Sequence, residues 1–534
     1  MTTLPDAMDP LAPPNLPPLV RALLVPARHG PDVHEVELLE TAISWVLLAG
    51  EFAYKIKKPI TLSFLDFSTL DQRKHCCEEE LRLNRRYAPD LYLAVVSLFN
   101  TPEDPQWSGS TEPIEYAVKM RRFSQQGRLD HVCERGALQP AHLSVLARTL
   151  AEFHAVAAVV PAGASLGTAA CVRAQALQNF DDLRPLVSDP VSQARLQALQ
   201  AWTEVQHAQL APLMQQRHQG GRVRECHGDL HLGNLVLMPD HTVRLFDCIE
   251  FSDSLRWIDV AGELAFLYMD LLARQQPGLA CWFLNEALEH NGDYAGVPLL
   301  RFYTVYRALV RAKVDLMQAS HSANVQEAAQ ARLDYLAYLR LAESLAQLQP
   351  PPQPQPQPLR LVITHGVSGC GKTFASNALL QQVTTACTIR LRTDVERKRL
   401  CGLQARQHTG AALNQGIYAP GTHAETYAHL ATLATGLLQA GWSVVVDGTF
   451  LHRADRDHFR ALAGRFHADF AILAPQATPA QLRQRVQARS ALGQDASDAT
   501  LEVLEQQLQE LEPLAADEPL QTPEGVHGRT LSHR

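Results

Sequence analysis

The segment His227-Gly228-Asp229-Leu230-His231-Leu232-Gly233-Asn234 precedes an apolar strand, a turn at Pro239-Asp240-His241, a second apolar strand and then Asp247. Read as a loop and a β-hairpin, with residues 235–238 against 243–246, the chain doubles back and returns Asp247 beside Asn234 and Asp229. Two carboxylates and a carboxamide gathered there offer the hard oxygen ligands that suit Mg²⁺. Two other readings are zinc held by His227 and His231, and Asp229 capping a turn. Zinc requires a further ligand and leaves the Asn234–Asp247 spacing without a reason. A second stretch, Gly366-Val367-Ser368-Gly369-Cys370-Gly371-Lys372-Thr373, follows the apolar run Leu359-Arg360-Leu361-Val362-Ile363-Thr364. This is GxxxxGK[ST] between a strand of the buried parallel kind and a helix, where backbone amides curl around phosphate oxygens. In that reading Lys372 reaches the β- and γ-phosphates and Thr373 ligates Mg²⁺.

Elements flanking the first cluster support the same chemistry. The spacing Asp-x-x-x-x-Asn with a second Asp past a hairpin resembles a kinase catalytic loop and its metal-binding Asp. Gly228 stands where a protein kinase has Arg, and no Phe-Gly follows Asp247. His-Gly-Asp with Asn234 and Leu-Phe-Asp resembles the aminoglycoside phosphotransferase family, kinase-like enzymes acting on small molecules. That resemblance implies that Asp229 accepts a hydroxyl proton while Asn234 and Asp247 hold Mg²⁺. Upstream, residues 40–48 and 52–56 are expected as strands around a turn at Ala49-Gly50-Glu51. Phe52-Ala53-Tyr54-Lys55-Ile56 resembles the kinase strand ending in the phosphate-binding Lys. Lys55 and Lys57 share one face of such a strand, so spacing alone does not separate them, and the Ala-x-Lys match favours Lys55. A helix over residues 69–87 carries Glu78, Glu79 and Glu80; Glu79 and Glu80 are the candidates to pair with Lys55. Residues 114–120 read as the strand leading to a hinge, and a helix is expected from Trp257, with Asp259 either supporting the metal loop or capping that helix. The resemblance spans most of residues 30–345. The family's Gly-rich loop is absent, with Glu40-Thr41-Ala42-Ile43-Ser44 in its place.

Around the second cluster, strands are expected over residues 388–391, 443–447 and 468–473, with a helix over 423–439. Asp447, ending a buried strand, is placed to support Mg²⁺ or water. Asp394 and Arg397 resemble the Asp-x-x-Arg of small P-loop kinases, in which the Asp faces the accepting hydroxyl; a helix cap with a solvent-facing Arg is the other reading. Arg485 and Arg489 lie one turn apart and suit a lid over transferred phosphate. A solvated basic face would look the same, with Arg483 beside it.

The 534-residue chain is long enough for two or three domains, and 46% hydrophobic with 19% charged residues is a globular composition. A net charge of −8 argues against a general binder of nucleic acid or membrane surfaces. Ten scattered cysteines without a CxxC, no secretory leader pattern and no run of about 18 apolar residues point to a cytoplasmic protein. The run Gln349-Pro350-Pro351-Pro352-Gln353-Pro354-Gln355-Pro356-Gln357-Pro358 is a polyproline spacer of about 30 Å at roughly 3.1 Å per residue. The expected organisation is a loose tail over 1–18, a kinase-like domain over 19–348, the linker over 349–358, a P-loop kinase-like domain over 359–515 and a flexible tail over 516–534. The fold class is therefore an α+β bilobal kinase-like domain followed by an α/β P-loop domain with a parallel sheet. This order resembles bacterial bifunctional phosphotransferase/ATP-binding proteins and implies a two-headed kinase using ATP, Mg²⁺ and a small hydroxyl-bearing acceptor. Two further readings are a nucleotide-sensing role for one head, and a nucleic-acid 5′-hydroxyl kinase for the P-loop head.

Overall fold

Strand β2 (Ser44–Ala49) and strand β3 (Phe52–Lys57) meet at Gly50-Glu51, where Gly50 has a left-handed φ of 57°, a conformation glycine adopts without steric cost. They belong to a computed structural model that describes residues 16–62, 65–321, 324–348, 358–382, 388–404, 407, 420–492 and 499–521. The chain forms two compact units: residues 1–138, 158–172 and 217–263 make the first, and 139–157, 173–216 and 264–534 the second. Nearly all of the expected linker, residues 349–357, lies outside the described residues.

In the first unit, β2 and β3 are joined by β1 (Val36–Glu40), β4 (Tyr92–Asn100), β5 (Pro105–Gln106) and β6 (Glu115–Arg121). Among the described residues they form one antiparallel sheet in the order β1-β2-β3-β6-β4-β5. The single strand expected over residues 40–48 is corrected: the Thr41 hydroxyl accepts the Ser44 N–H at 2.9 Å and turns the chain between β1 and β2. Alternation along β3 sends Tyr54 and Ile56 into a core with Trp45, Leu47 and the short helix Pro18–Leu23. Leu16 is buried in that core too, so the tail expected over residues 1–18 is ordered from Leu16, and residues 1–15 lie outside the described residues. The opposite face of β3 carries Ala53, Lys55 and Lys57 beneath helix α1 (Leu70–Asn84). Thr69 starts that helix through a capping box, exchanging hydrogen bonds with Gln72.

Strand β7 (Val223–Glu225) pairs antiparallel with β10 (Trp257–Asp259), and between them in sequence runs the hairpin of β8 (Leu235–Leu237) and β9 (Val243–Leu245). Trp257 thus starts a strand instead of the expected helix, which begins at Val260. Asp259 accepts the Ala261 N–H at 2.8 Å and grips Arg217 with both oxygens at 2.7 Å, which makes it a helix cap and ion-pair partner.

The second unit opens with helix α2 (Pro140–Val156) against α3 (Pro277–Asn291), joined where the Trp282 indole N–H donates to the Ser144 hydroxyl at 2.9 Å. Helices α4 (Val297–His321) and α5 (Val325–Ala346) pack on each other. There follow β11 (Arg360–Thr364), α6 (Lys372–Gln381), β12 (Thr388–Arg392), α7 (Thr393–Leu400), α8 (Pro420–Gln439), β13 (Ser443–Asp447), α9 (Arg453–Arg465), β14 (Asp469–Leu473), α10 (Pro479–Leu492), α11 (Leu501–Glu510) and β15 (Leu520–Gln521). Among the described residues the strands form an all-parallel sheet in the order β12-β13-β11-β14-β15. Leu361, Val362, Ile363 and Val444 to Val446 are all buried, as strands covered on both faces require. The flexible tail expected from residue 516 is corrected up to Gln521. Glu518 is held by Arg456 at 2.7 and 3.2 Å, and β15 extends the sheet.

Strand β12 is an edge, and an uncovered edge exposes unpaired backbone groups. Asn285 of α3 covers it: its carboxamide nitrogen donates to the Thr388 carbonyl at 2.8 Å and its oxygen accepts the Arg390 N–H at 2.6 Å. At the start of α3, a Cβ on Gly278 would lie 2.1 Å from the Gln381 carbonyl oxygen. Gly278→Ala is therefore expected to force these backbones apart and to destabilise the second unit by about 1–3 kcal/mol. Urea denaturation measures this, and an unchanged midpoint would contradict the close approach.

Candidate functional site

A loop that must present two acids needs its own backbone tied down, and here one buried histidine does much of this. The His227 Nε2–H donates to the Phe246 carbonyl at 2.8 Å, which leaves Nδ1 to accept the Asp229 N–H at 3.3 Å. Burial lowers the His227 pKa and so favours the neutral ring. Both ring nitrogens are thus used on backbone, and zinc finds no ligand atom there. Glu263 accepts the N–H groups of His227 (2.7 Å) and Gly228 (3.1 Å). Gly228 has φ of 89°, and a Cβ there would sit 2.9 Å from the Leu255 carbonyl oxygen, so no larger residue fits.

The hairpin closes as its sequence implies. Leu235 lies opposite Leu245, and the Phe246 N–H reaches the Asn234 carbonyl at 3.1 Å, which sets Asn234 beside the residue preceding Asp247. The Asn234 carboxamide nitrogen donates to the Asp229 carboxylate and carbonyl, both at 3.0 Å, and so turns its oxygen away from Asp229. His231 Nε2 stands 3.4 Å from the same Asp229 carboxylate. Asp247 adopts a left-handed φ of 65°, and its N–H is held by the Tyr92 hydroxyl at 3.0 Å. Its neighbour Cys248 donates to Asn84 at 3.0 Å. Asp229 and Asp247 stay partly exposed, with side chains 32% and 43% accessible, so both remain open to a ligand. Carboxylate and carboxamide oxygens are a donor set that fits Mg²⁺.

Beneath this mouth lies a buried file of charge. Lys55 bonds to Asp247 and, at 2.9 Å, to Glu80; Lys57 bonds to Glu80 at 2.6 Å and to Glu250. Burial would raise the Glu80 carboxyl, but the two ammoniums overcome it and hold its pKa down to about 2. Burial opposes the charge on both lysines, and the facing carboxylates outweigh it and raise them. Glu250 goes the other way, raised by burial. Glu79, expected alongside Glu80, instead pairs with Arg82 at 2.8 Å and faces Arg256 at 3.4 Å. Its position one residue along α1 rotates it off the lysine face. Glu250, Tyr92 and Asn84 were not singled out in the sequence. Glu250, three residues past Asp247, and Asn84, one turn after Glu80, carried a spacing signal; Tyr92 carried none.

In the second unit, Gly366, Gly369 and Gly371 take φ values of 129°, 84° and 104° and bend the loop around its amides. The Ser368 N–H is met by the Gln507 carboxamide oxygen at 2.7 Å, so a protein oxygen sits on an amide aimed as a phosphate-binding donor would be. Lys372 rests on the Val367 carbonyl at 2.8 Å. Val367 and Cys370 pack under Leu482 and Val486 of α10. Thr373 opens α6 directly after Lys372. Asp447 is buried and accepts the hydroxyls of Thr364 (3.4 Å) and Ser376 (3.3 Å). This loop of amides with a nearby carboxylate fits a magnesium-bound polyphosphate. Asp394 lies in the first turn of α7 and bonds Arg397 at 3.0 Å; the preceding Thr393 packs toward Gly448, next to Asp447. Arg485 reaches over the loop to the Gly369 carbonyl at 3.2 Å, whereas Arg483 turns to Glu505 at 2.8 Å. The Arg489 side chain lies outside the described residues. No helix among the described residues is long and apolar enough to cross a membrane.

Residues 77–296 match the family model described as phosphotransferase enzyme family, and residues 361–514 match one described as an AAA domain. Uncharacterized proteins of Mycobacterium tuberculosis and Mycobacterium bovis are 30% identical over 470 residues, 88% of this chain and 88% of theirs. Among solved structures, a choline kinase from Cryptosporidium parvum is 10% identical over 62% of this chain and 95% of its own, with a TM-score of 0.39. An aminoglycoside phosphotransferase from Alicyclobacillus acidocaldarius is 15% identical over 64% and 96%, with a TM-score of 0.35.

The charge file makes a prediction about pH. Glu80 has its folded pKa lowered from 4.5 to about 2, so its stabilisation is complete above pH 4.5 and is lost as pH falls toward 2. Glu80→Gln is expected to cost on the order of 3 kcal/mol at pH 7 and much less near pH 3. Glu250, shifted upward, has the opposite sign, and Glu250→Gln should be the milder change at pH 7. Urea denaturation at both pH values checks this; equal cost for Glu80→Gln at the two would contradict it.

Proposed function

Since this chain belongs to one family with these mycobacterial proteins and joins a phosphotransferase domain to an AAA-type P-loop domain, we propose that it is a two-headed, ATP- and Mg²⁺-dependent kinase that phosphorylates hydroxyl groups of small molecules. ATP-dependent phosphotransfer is the chemistry common to the two domain families; the acceptor and the paired sites are the proposal. The observation that carries it is the convergence of Lys55, Glu80 and Asp247 on the hairpin that also presents Asp229 and Asn234.

In the first head, Asp229 accepts the proton of the attacking hydroxyl, oriented by the Asn234 carboxamide that already holds its carboxylate. Lys55, steered by Glu80, moves from Asp247 onto the α- and β-phosphates, which frees Asp247 for metal. Asn234 would contribute its carboxamide oxygen to the same ion. When bound, Mg²⁺ neutralises charge on the phosphates that flank the transferred group. In the P-loop head, the amides of residues 366–371 and Lys372 bind the triphosphate, Thr373 and Asp447 serve the metal, and Asp394 faces the acceptor. Gln507 must leave the Ser368 amide for phosphate to enter. Arg485 stands over the loop, where it can follow the phosphate charge.

The test is ATP turnover across a panel of hydroxyl compounds with single-site variants. Asp229→Ala is expected to reduce transfer by the first head about 10²- to 10⁴-fold while sparing turnover that depends on Lys372. Lys372→Ala should do the reverse. Turnover that survives both substitutions together, or that neither affects, would sink the proposal. Lys372→Ala that spares all turnover but changes nucleotide affinity at the other head would favour a sensing role instead.

A further inference from the structure

Arg392, the last residue of β12, lies between two carboxylates from different parts of the chain. Its Nη1 donates to Glu289 Oε1 of α3 at 2.7 Å, while its Nε stands 3.9 Å from Asp447 Oδ2. The other Glu289 oxygen is fixed by Arg390 at 2.9 Å, and Arg390 itself is anchored to Asn377 and lies 3.6 Å from Glu286. Glu289 is buried, and its carboxylate position is over-determined by two arginines. Asp447 by contrast accepts long hydroxyl contacts from Thr364 and Ser376, and Arg392 stands at the limit of ion-pair distance from it. Glu289 and Asp447 thus both lie within 4 Å of the Arg392 guanidinium.

A guanidinium and Mg²⁺ compete for the same carboxylate oxygens, because each is drawn by the same negative charge and occupies the same lone pairs. We propose that Glu289 is a positioning residue for the P-loop site: it holds Arg392 back from Asp447 and so sets how readily that site takes Mg²⁺ with its nucleotide. This rests on reading residues 366–373 and Asp447 as a magnesium–nucleotide site. Glu289 lies inside the stretch that matches the phosphotransferase family, so a residue of the first domain's sequence tunes the metal preference of the second.

The experiment is calorimetric titration of the full chain with a non-hydrolysable ATP analogue at graded Mg²⁺. The binding event that Lys372→Ala removes belongs to the P-loop site. In Glu289→Gln the Mg²⁺ concentration needed for half-maximal binding in that event should rise about ten-fold, as the released guanidinium neutralises Asp447. Arg392→Gln, which removes the competitor, should lower it, and the double variant should behave like Arg392→Gln alone. Asn285→Ala loosens the docking of α3 on β12 without altering charge and should leave the Mg²⁺ requirement unchanged. An unaltered requirement in Glu289→Gln or in Arg392→Gln overturns the proposal, as does an equal shift in Asn285→Ala. If no nucleotide event depends on Lys372, the reading of the P-loop site itself fails.

Discussion

A lysine carried into a protein interior loses its hydration, and it stays charged only where carboxylates replace the water. The file Asp247–Lys55–Glu80–Lys57–Glu250 meets that constraint twice over, and the first unit is arranged around it. Strand β3 supplies both lysines on one face, α1 supplies Glu80, and the segment after the hairpin supplies Asp247 and Glu250. Glu80 is the member both lysines share, so its removal would take a partner from each of them at once. The sheet, the helix and the hairpin are therefore fixed against each other by electrostatics as much as by apolar contact. Ionisable groups held this way are stable as a set yet can exchange partners, as the proposed transfer of Lys55 from Asp247 to phosphate requires.

How much of this was legible depended on whether a residue acts through local spacing or through packing. The hairpin, the glycine-rich loop over residues 366–373 and α1 are written in local patterns: turn residues at Pro239-Asp240-His241, glycines at fixed intervals, and a Thr69–Gln72 cap. Period-two alternation put Lys55 and Lys57 on one face, but both turn out to contact Glu80, so no choice between them as structural cations was needed. Which of three successive glutamates faces them was decided by the rotation of α1, set by its packing, and sequence left Glu79 and Glu80 equal. Tyr92, Gln507 and Asn285 act across separations of more than a hundred residues, and no local signal marks such partners. The turn at Thr41 was hidden for another reason: apolar residues run through it, so its hydroxyl-to-backbone bond outweighed strand propensity.

The two halves of the chain also differ in how they hold their acids. In the first unit Asp247 is drawn directly onto a lysine, whereas in the second Asp447 accepts two neutral hydroxyls and stands 3.9 Å from an arginine that Glu289 holds at 2.7 Å. In the proposed reading both arrangements serve one need, a carboxylate kept available at the end of a strand or hairpin. The first stores a countercharge on the acid itself; the second keeps that countercharge at a distance.

The carboxamide of Asn285 has a bearing on how the protein is made. It caps β12 from a helix about a hundred residues earlier, so during synthesis the cover leaves the ribosome before the strand it shields. A parallel sheet is slow to assemble, and its edge strand is the part most prone to pair with a stranger. Chain order thus places the covering helix ahead of the strand whose edge it shields.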